Sequence, residues 1–229
     1  MSKHLRIWLF ALLGTLLAST TLLAQGIITM TTSKAVGETV KLRIEANGNV
    51  TIEGVKELPQ LGKDKKNYTL TSQTITIHGD VTKLDCSDNQ LTSLDLPKNT
   101  ALTTLYCDRN QLTRLDVSKN AALTELGCSE NQLTSLDVSK NTALTELYCS
   151  NNQLTSLNVS RCARLNTLYC DSNRINGKAM NKLVNSLPNR RRKSSGAILL
   201  VDNSPEKRDK NRCSPADVTI SEKKNWSVL

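Results

Sequence analysis

Seven cysteines and two histidines are among the side chains of this 229-residue sequence whose types could ligate a metal, attack a carbonyl or form redox pairs. The histidines, His4 and His78, are too few and too isolated for a His-based triad or a multi-His zinc site. The cysteines are ordered: Cys86, Cys107, Cys128, Cys149 and Cys170 recur every 21 residues, and Cys162 and Cys213 fall outside the series. Such a period belongs to a stacked fold in which equivalent side chains form one column. In-register strands lie ~4.8 Å apart, wider than the ~3.5–4.5 Å Cβ separation of a disulfide. A single column of thiolates also gives zinc no tetrahedral enclosure. The five thiols therefore read as small buried hydrophobes, and neither a metal nor a cofactor is expected. In an oxidising compartment Cys162 and Cys213 either pair, pinning the tail to the last repeat, or remain free.

The elements that must position these residues follow from the same period. Leu84, Leu105, Leu126, Leu147 and Leu168 precede each cysteine by two residues, and Asn89, Asn110, Asn131, Asn152 and Asn173 follow by three. Leu-x-Cys predicts a short strand with both residues inward, stacked into a parallel sheet with a continuous core. The halves of each unit are alike, as in LTELYCSNN and LTSLNVSRC, so the outer side is expected to be extended rather than helical. The asparagines are expected to form a structural ladder, bonding backbone groups of their own and the next turn. Aromatic residues are only 3% of the chain, and leucine must fill the interior.

The unit from Leu144 to Arg164 fits the LxxLxLxxNxL pattern of leucine-rich repeats, with cysteine at the third apolar position. From Val81 to about Ile175 the chain resembles the cysteine-ladder repeats of internalin-J-like bacterial surface proteins. The flanks, Gln25 to Asp80 and the ending near Asn225-Trp226, resemble them more loosely. The resemblance implies a secreted or cell-surface binding protein and no catalyst.

The flanks read as an N-terminal leader and two caps. Lys3 and Arg6, the uncharged apolar run Ile7 to Ala18, and Leu22-Leu23-Ala24 have the layout of a secretory signal peptide over residues 1–24. Its apolar run is short for a ~20-residue span, and no transmembrane segment is expected in the mature chain. Residues 25–80 predict an antiparallel β cap, with strands Thr39–Glu45, Asn49–Glu53 and Tyr68–His78 and a hairpin at Asn47-Gly48. Residues 81–175 are the solenoid of five repeats. Residues 176–229 predict a small α/β cap: a helix over Lys178–Leu187 stopped by Pro188, a strand over Gly196–Val201, a helix over Ala216–Asn225, and Trp226 packing back. The fold class is thus mainly β, a leucine-rich-repeat solenoid between two caps.

The charge excess lies in the last segment, where Arg190, Arg191, Arg192 and Lys193 are contiguous. Such a run attracts acidic polymers without reading nucleic-acid sequence. On the sheet, Tyr106, Tyr148 and Tyr169 stand directly before their cysteines and face outward, with Glu125 and Glu146 in the column two residues before that position and Arg109 just beyond. Aromatic anchors of this kind suit partner binding. Five strands give a face of only about 400 Å², half of a standard interface side. The reading is a secreted or surface-associated protein that binds a protein or glycan, adhesion being one form of this, with periplasmic retention open. The alternative is an envelope or matrix component that self-assembles through its repeats. An enzyme is not expected, because the recurring Asp and Ser are consensus positions without a nucleophile–base pair.

Overall fold

The computed structural model describes residues 26–96, 99–191, 193–201 and 209–229; the expected signal peptide, residues 1–24, lies outside them. The strands are β1 (Ile27–Thr32), β2 (Thr39–Glu53), β3 (Lys66–Thr69), β4 (Thr74–Asp85) and β5 (Leu91–Asp95). Four three-residue strands follow: β6 (Thr104–Tyr106), β7 (Glu125–Gly127), β8 (Glu146–Tyr148) and β9 (Thr167–Tyr169). Helix α1 (Lys178–Ser186), β10 (Gly196–Leu199), helix α2 (Pro215–Lys223) and β11 (Trp226–Val228) complete the chain.

From the end of β4 through β6, β7, β8, β9, β10 and β11 the strands are parallel and in register, Leu84, Leu105, Leu126, Leu147, Leu168 and Ile198 forming one row. The row and the cysteine column beside it are fully buried. Each turn closes through outer leucines and valines such as Leu133, Leu136, Val138 and Leu144, all buried. Among the described residues of the repeats this outer side contains no helix.

The asparagine column holds the turns together. Asn110 Nδ2 donates to the carbonyls of Cys107 (2.9 Å) and Asp108 (3.1 Å) in its own turn and of Cys86 (3.2 Å) in the turn before, while its Oδ1 accepts from Leu91 N–H (2.8 Å). Asn131, Asn152 and Asn173 repeat the pattern. The bonds therefore reach the preceding turn, where the sequence suggested the next one. The residue before each asparagine (Asp88, Arg109, Glu130, Asn151 and Ser172) is left-handed, with φ between 52° and 65°. Side chains other than glycine adopt that conformation at a cost, and the carboxamide bonds offset it in every turn. A second column runs along the outer side: Asn120 donates to Leu96 O and Asn99 O, and Asn141 to Val117 O and Asn120 O.

Both caps end the first column by supplying its missing partners. At the N-terminal end Asn89 exchanges bonds with the backbone of Lys41 in β2, both at 2.8 Å. At the other end Asn211 donates to Cys170 O (2.9 Å) and Leu200 O (2.7 Å) and accepts from Ile175 N–H (2.7 Å). Asn211 is a sixth rung, and Leu200 follows Leu199, which pairs with Tyr169, so it takes the place of the cysteine. The C-terminal cap thus begins with a non-consensus repeat beyond the five legible in the sequence.

The N-terminal cap is antiparallel as expected, with two corrections, the first being that Tyr68–His78 is not one strand but is divided between β3 and β4. Asn47-Gly48 is not a hairpin turn: β2 runs through it, and both halves pair with β4, Asn47 opposite Asp80 and Thr51 opposite His78. The extra residues form a bulge. Gly79 lies opposite it, where a Cβ would come 2.7 Å from Asn49 O. Strand β4 also crosses the expected boundary at residue 80, pairing with β1 at one end and with β6 at the other. Cap and solenoid share this strand. Helix α1 and strand β10 fall where expected; α2 opens on a capping box between Ser214 and Asp217.

If Asn211 is a rung, Asn211→Ala should cost about 2–3 kcal/mol, as Asn152→Ala should, because each leaves buried backbone groups unpaired. Urea denaturation of both variants checks this; an Asn211→Ala midpoint equal to wild type would make the sixth turn ornamental.

Candidate functional site

The outward positions of β4, β6, β7, β8 and β9 form the candidate face. Tyr106 precedes a strand whose equivalent residue is Gly127, and its ring leans across that gap. A Cβ on Gly127 would lie 2.6 Å from Tyr106 Cδ1 and 2.6 Å from Asp108 Oδ2. The lean lets Tyr106 Oη donate to Glu125 Oε2 on the next strand at 2.7 Å. Tyr148 has no such gap and donates instead to Glu146 Oε2 on its own strand at 2.6 Å. Its ring meets Tyr169 edge to face, centroids 5.4 Å apart at 89°. Tyr106, Tyr148, Tyr169, Glu125 and Glu146 are thus brought together, all half-buried.

Arg109 stands apart, at the rim, paired with Glu130 Oε1 (3.1 Å) and Asp88 Oδ1 (3.9 Å). Two cap residues that sequence reasoning missed complete the N-terminal end. Arg43 of β2 places its guanidinium 6.0 Å from the Tyr106 ring centroid, and Lys65 pairs with Asp85 at 3.0 Å. The register of β2 against β4 brings Arg43 there, and only the alternation of TVKLRIE hinted at it.

The face has an acidic excess, although the repeats as a whole are nearly neutral: seven carboxylates (Asp85, Asp88, Asp108, Glu125, Glu130, Glu146 and Asp171) stand against four cations, Lys83 and Arg109 from the repeats and Arg43 and Lys65 from the cap. The basic residues Arg114, Lys119, Lys140, Arg161 and Arg164 lie on the outer turns. Burial, followed by the hydrogen bond to a glutamate, pushes the Tyr106 and Tyr148 phenols well above their usual range, so both remain donors at working pH. Desolvation likewise raises Asp108.

The ladder thiols are free, buried and pushed upward by desolvation. The bridge allowed between Cys162 and Cys213 is not formed; both are free. The physical reason is the second column: Cys162 takes the place of its asparagine and donates to Val138 O (3.6 Å) and Asn141 O (3.7 Å), the pair of acceptors one turn on. Burial lifts this thiol to about 11. Cys213 lies half-buried just before α2.

The basic run is also corrected. Arg190 is buried, 5% exposed, and donates to Leu165 O (2.9 Å) and Ser194 O (3.1 and 3.2 Å) with its guanidinium 5.8 Å from the Trp226 ring centroid. It is a cap-core residue that ties β10 and β11 to the last repeat. Arg191 and Lys193 are exposed, and Arg192 lies outside the described residues. His78 sits in the central strand β4, its Nε2 3.3 Å from Glu53 Oε1. Among the described residues no group of three or more His, Cys, Asp or Glu could hold a metal ion, and no helix is long and apolar enough to cross a membrane.

A family model described as leucine-rich repeats (two copies) matches residues 81–120 and 121–161. The chain is similar to the functional domain of InlJ from Listeria monocytogenes, a structure described as including a cysteine ladder. The identity is 35% over 53% of this chain and 26% of that one, with a TM-score of 0.45. It is also similar to the internalin InlF of Listeria monocytogenes, at 19% identity over 62% of this chain and 38% of that one, TM-score 0.49. The chain therefore spans well under half the length of either. No curated protein matches it. Residues 81–161 are leucine-rich repeats.

Three outcomes are expected. A bulky thiol reagent should label Cys213 in the native protein and the five ladder cysteines only after unfolding; the raised thiols keep their protons in the fold, so stability should decline as pH rises above about 8.5, where unfolded thiols ionise. Arg190→Ala should cost about 2–3 kcal/mol in a denaturation experiment, while Arg191→Ala stays near wild type.

Proposed function

We propose that this chain is an exported protein-interaction repeat protein, free or held at a cell surface, whose outward sheet face binds a protein or glycan partner. Adhesion is one consequence of such binding. The observation that carries the reading is the in-register display of Tyr106, Tyr148 and Tyr169, with Glu125 and Glu146, on strands locked by the asparagine ladder. Aromatic side chains held in place lose little entropy on binding and make good anchors. The caps enlarge the face: β2 continues it at one end, and β10 and β11 at the other. Eight strands at ~4.8 Å give on the order of 550 Å², nearer to the ~800 Å² of a standard interface side. The reading assigns the chain no chemical step.

Replacing Tyr106, Tyr148 and Tyr169 together by alanine should leave the circular dichroism spectrum unchanged. It should also weaken binding to whatever proteins or glycans the wild type retains from immobilised arrays by about tenfold or more. Undiminished retention by the triple variant would place the binding surface elsewhere.

A further inference from the structure

We infer that the occupant of this face is a cationic stretch of polypeptide, an arginine- or lysine-rich segment of a partner protein, seated on Glu125 and Glu146 against Tyr148. The inference rests on the reading of the sheet face as the binding surface.

Charge complementarity is the first argument. Of the cations near the face, Lys83 pairs with Glu45 (3.7 Å), Lys65 with Asp85, and Arg109 with Asp88 and Glu130, while Arg43 lies against the Tyr106 ring. Glu125 and Glu146 are directly opposite each other on β7 and β8 and meet no cation among the described residues. Like charges facing each other across strands destabilise a sheet. The same column carries threonine at Thr104 and Thr167, so the fold does not require carboxylates there. An ammonium or guanidinium group from outside would neutralise the pair.

The second argument is that the face already seats one guanidinium. Arg43 lies against Tyr106, and Tyr148 and Tyr169 have no such cation among the described residues. A cation over a tyrosine ring gains about 0.5–2 kcal/mol, more as water is excluded. Area is the third: a face below the standard interface size suits an extended segment better than a globular surface. An anionic polymer meets net repulsion from the same carboxylates, and a neutral glycan leaves them uncompensated.

The probes are nona-arginine and nona-lysine, with nona-glutamate and maltoheptaose as comparisons, titrated into the full mature chain by calorimetry at low and high salt. The cationic peptides should bind, and should weaken as salt rises. Glu125→Gln with Glu146→Gln should reduce their affinity about tenfold or more, whereas Asp116→Asn with Asp137→Asn on the outer side should change it less than about twofold. Equal losses in the two double variants would overturn the inference. So would preferential binding of maltoheptaose through the tyrosines, which leaves the face itself standing as the binding surface. Cationic peptide binding that survives the triple tyrosine replacement would overturn face and occupant together. Sedimentation provides the last arm: self-association lost in Glu125→Gln/Glu146→Gln would make the occupant a second copy of this chain and overturn a foreign partner.

Discussion

The solenoid depends on one carboxamide per turn. A 21-residue coil must reverse direction sharply after each short strand, and it does so by placing a residue other than glycine in the left-handed region. That turn points backbone carbonyls and an N–H group inward, where water cannot reach them, and an unpaired buried group costs about 1–3 kcal/mol. The asparagine fills this need with four bonds, two within its turn and two to the turn before. No turn is complete without a neighbour. The chain therefore has to begin and end with something that mimics a turn, and Lys41 and Asn211 do so at opposite ends.

With the inside fixed by leucine, cysteine and asparagine, the outward positions are free to vary. Cysteine suits the column because it is small and its thiol can turn toward a carbonyl of the following turn, as Cys107 does toward Gly127 O at 3.3 Å. The hydroxyls of Thr103, Thr124 and Thr145 add a further line of bonds to the threonine carbonyl one turn back. Three columns of polar contacts thus run parallel to the apolar row, so the outer side needs no helix to keep its shape.

The repeat was legible in the sequence because period, register and inward pattern are all local properties of one unit. The inward cysteines, the outward tyrosines and the absence of an outer helix follow directly. What the sequence hid depends on partners distant along the chain. Asn47-Gly48 carries a strong turn signal, but pairing of both flanks with β4 overrides it and leaves a bulge. Arg190 sits in a basic run that reads as an exposed patch for acidic polymers. Its neighbours Trp226 and Leu165, 36 and 25 residues away, draw it inside. Asn211 was invisible as a rung because it follows Leu200 by eleven residues where the consensus allows three. The proximity of Tyr106 to Glu125 required knowing that strands stack in register and that Gly127 leaves room.

Departures from the repeat fall into two kinds, those that keep the backbone contacts of the coil and those that change only its outward surface. Cys162 and Asn211 stand where the consensus is broken but the backbone contacts survive: each donates to acceptors equivalent to those of the residue it replaces. These changes conserve the coil. Gly127, Glu125 and Glu146 conserve nothing in the interior. Their side chains, or lack of one, face outward, and a side chain at residue 127 would first have to displace the Tyr106 ring and the Asp108 carboxylate. Together they tilt one tyrosine toward a neighbouring strand and set two carboxylates side by side. A periodic scaffold built only to be stable has no reason to interrupt its outward column at that point. The interruption coincides with the middle of the face, and this concentrates the binding proposal on Tyr106, Glu125, Glu146 and Tyr148 rather than on the ladder that carries them.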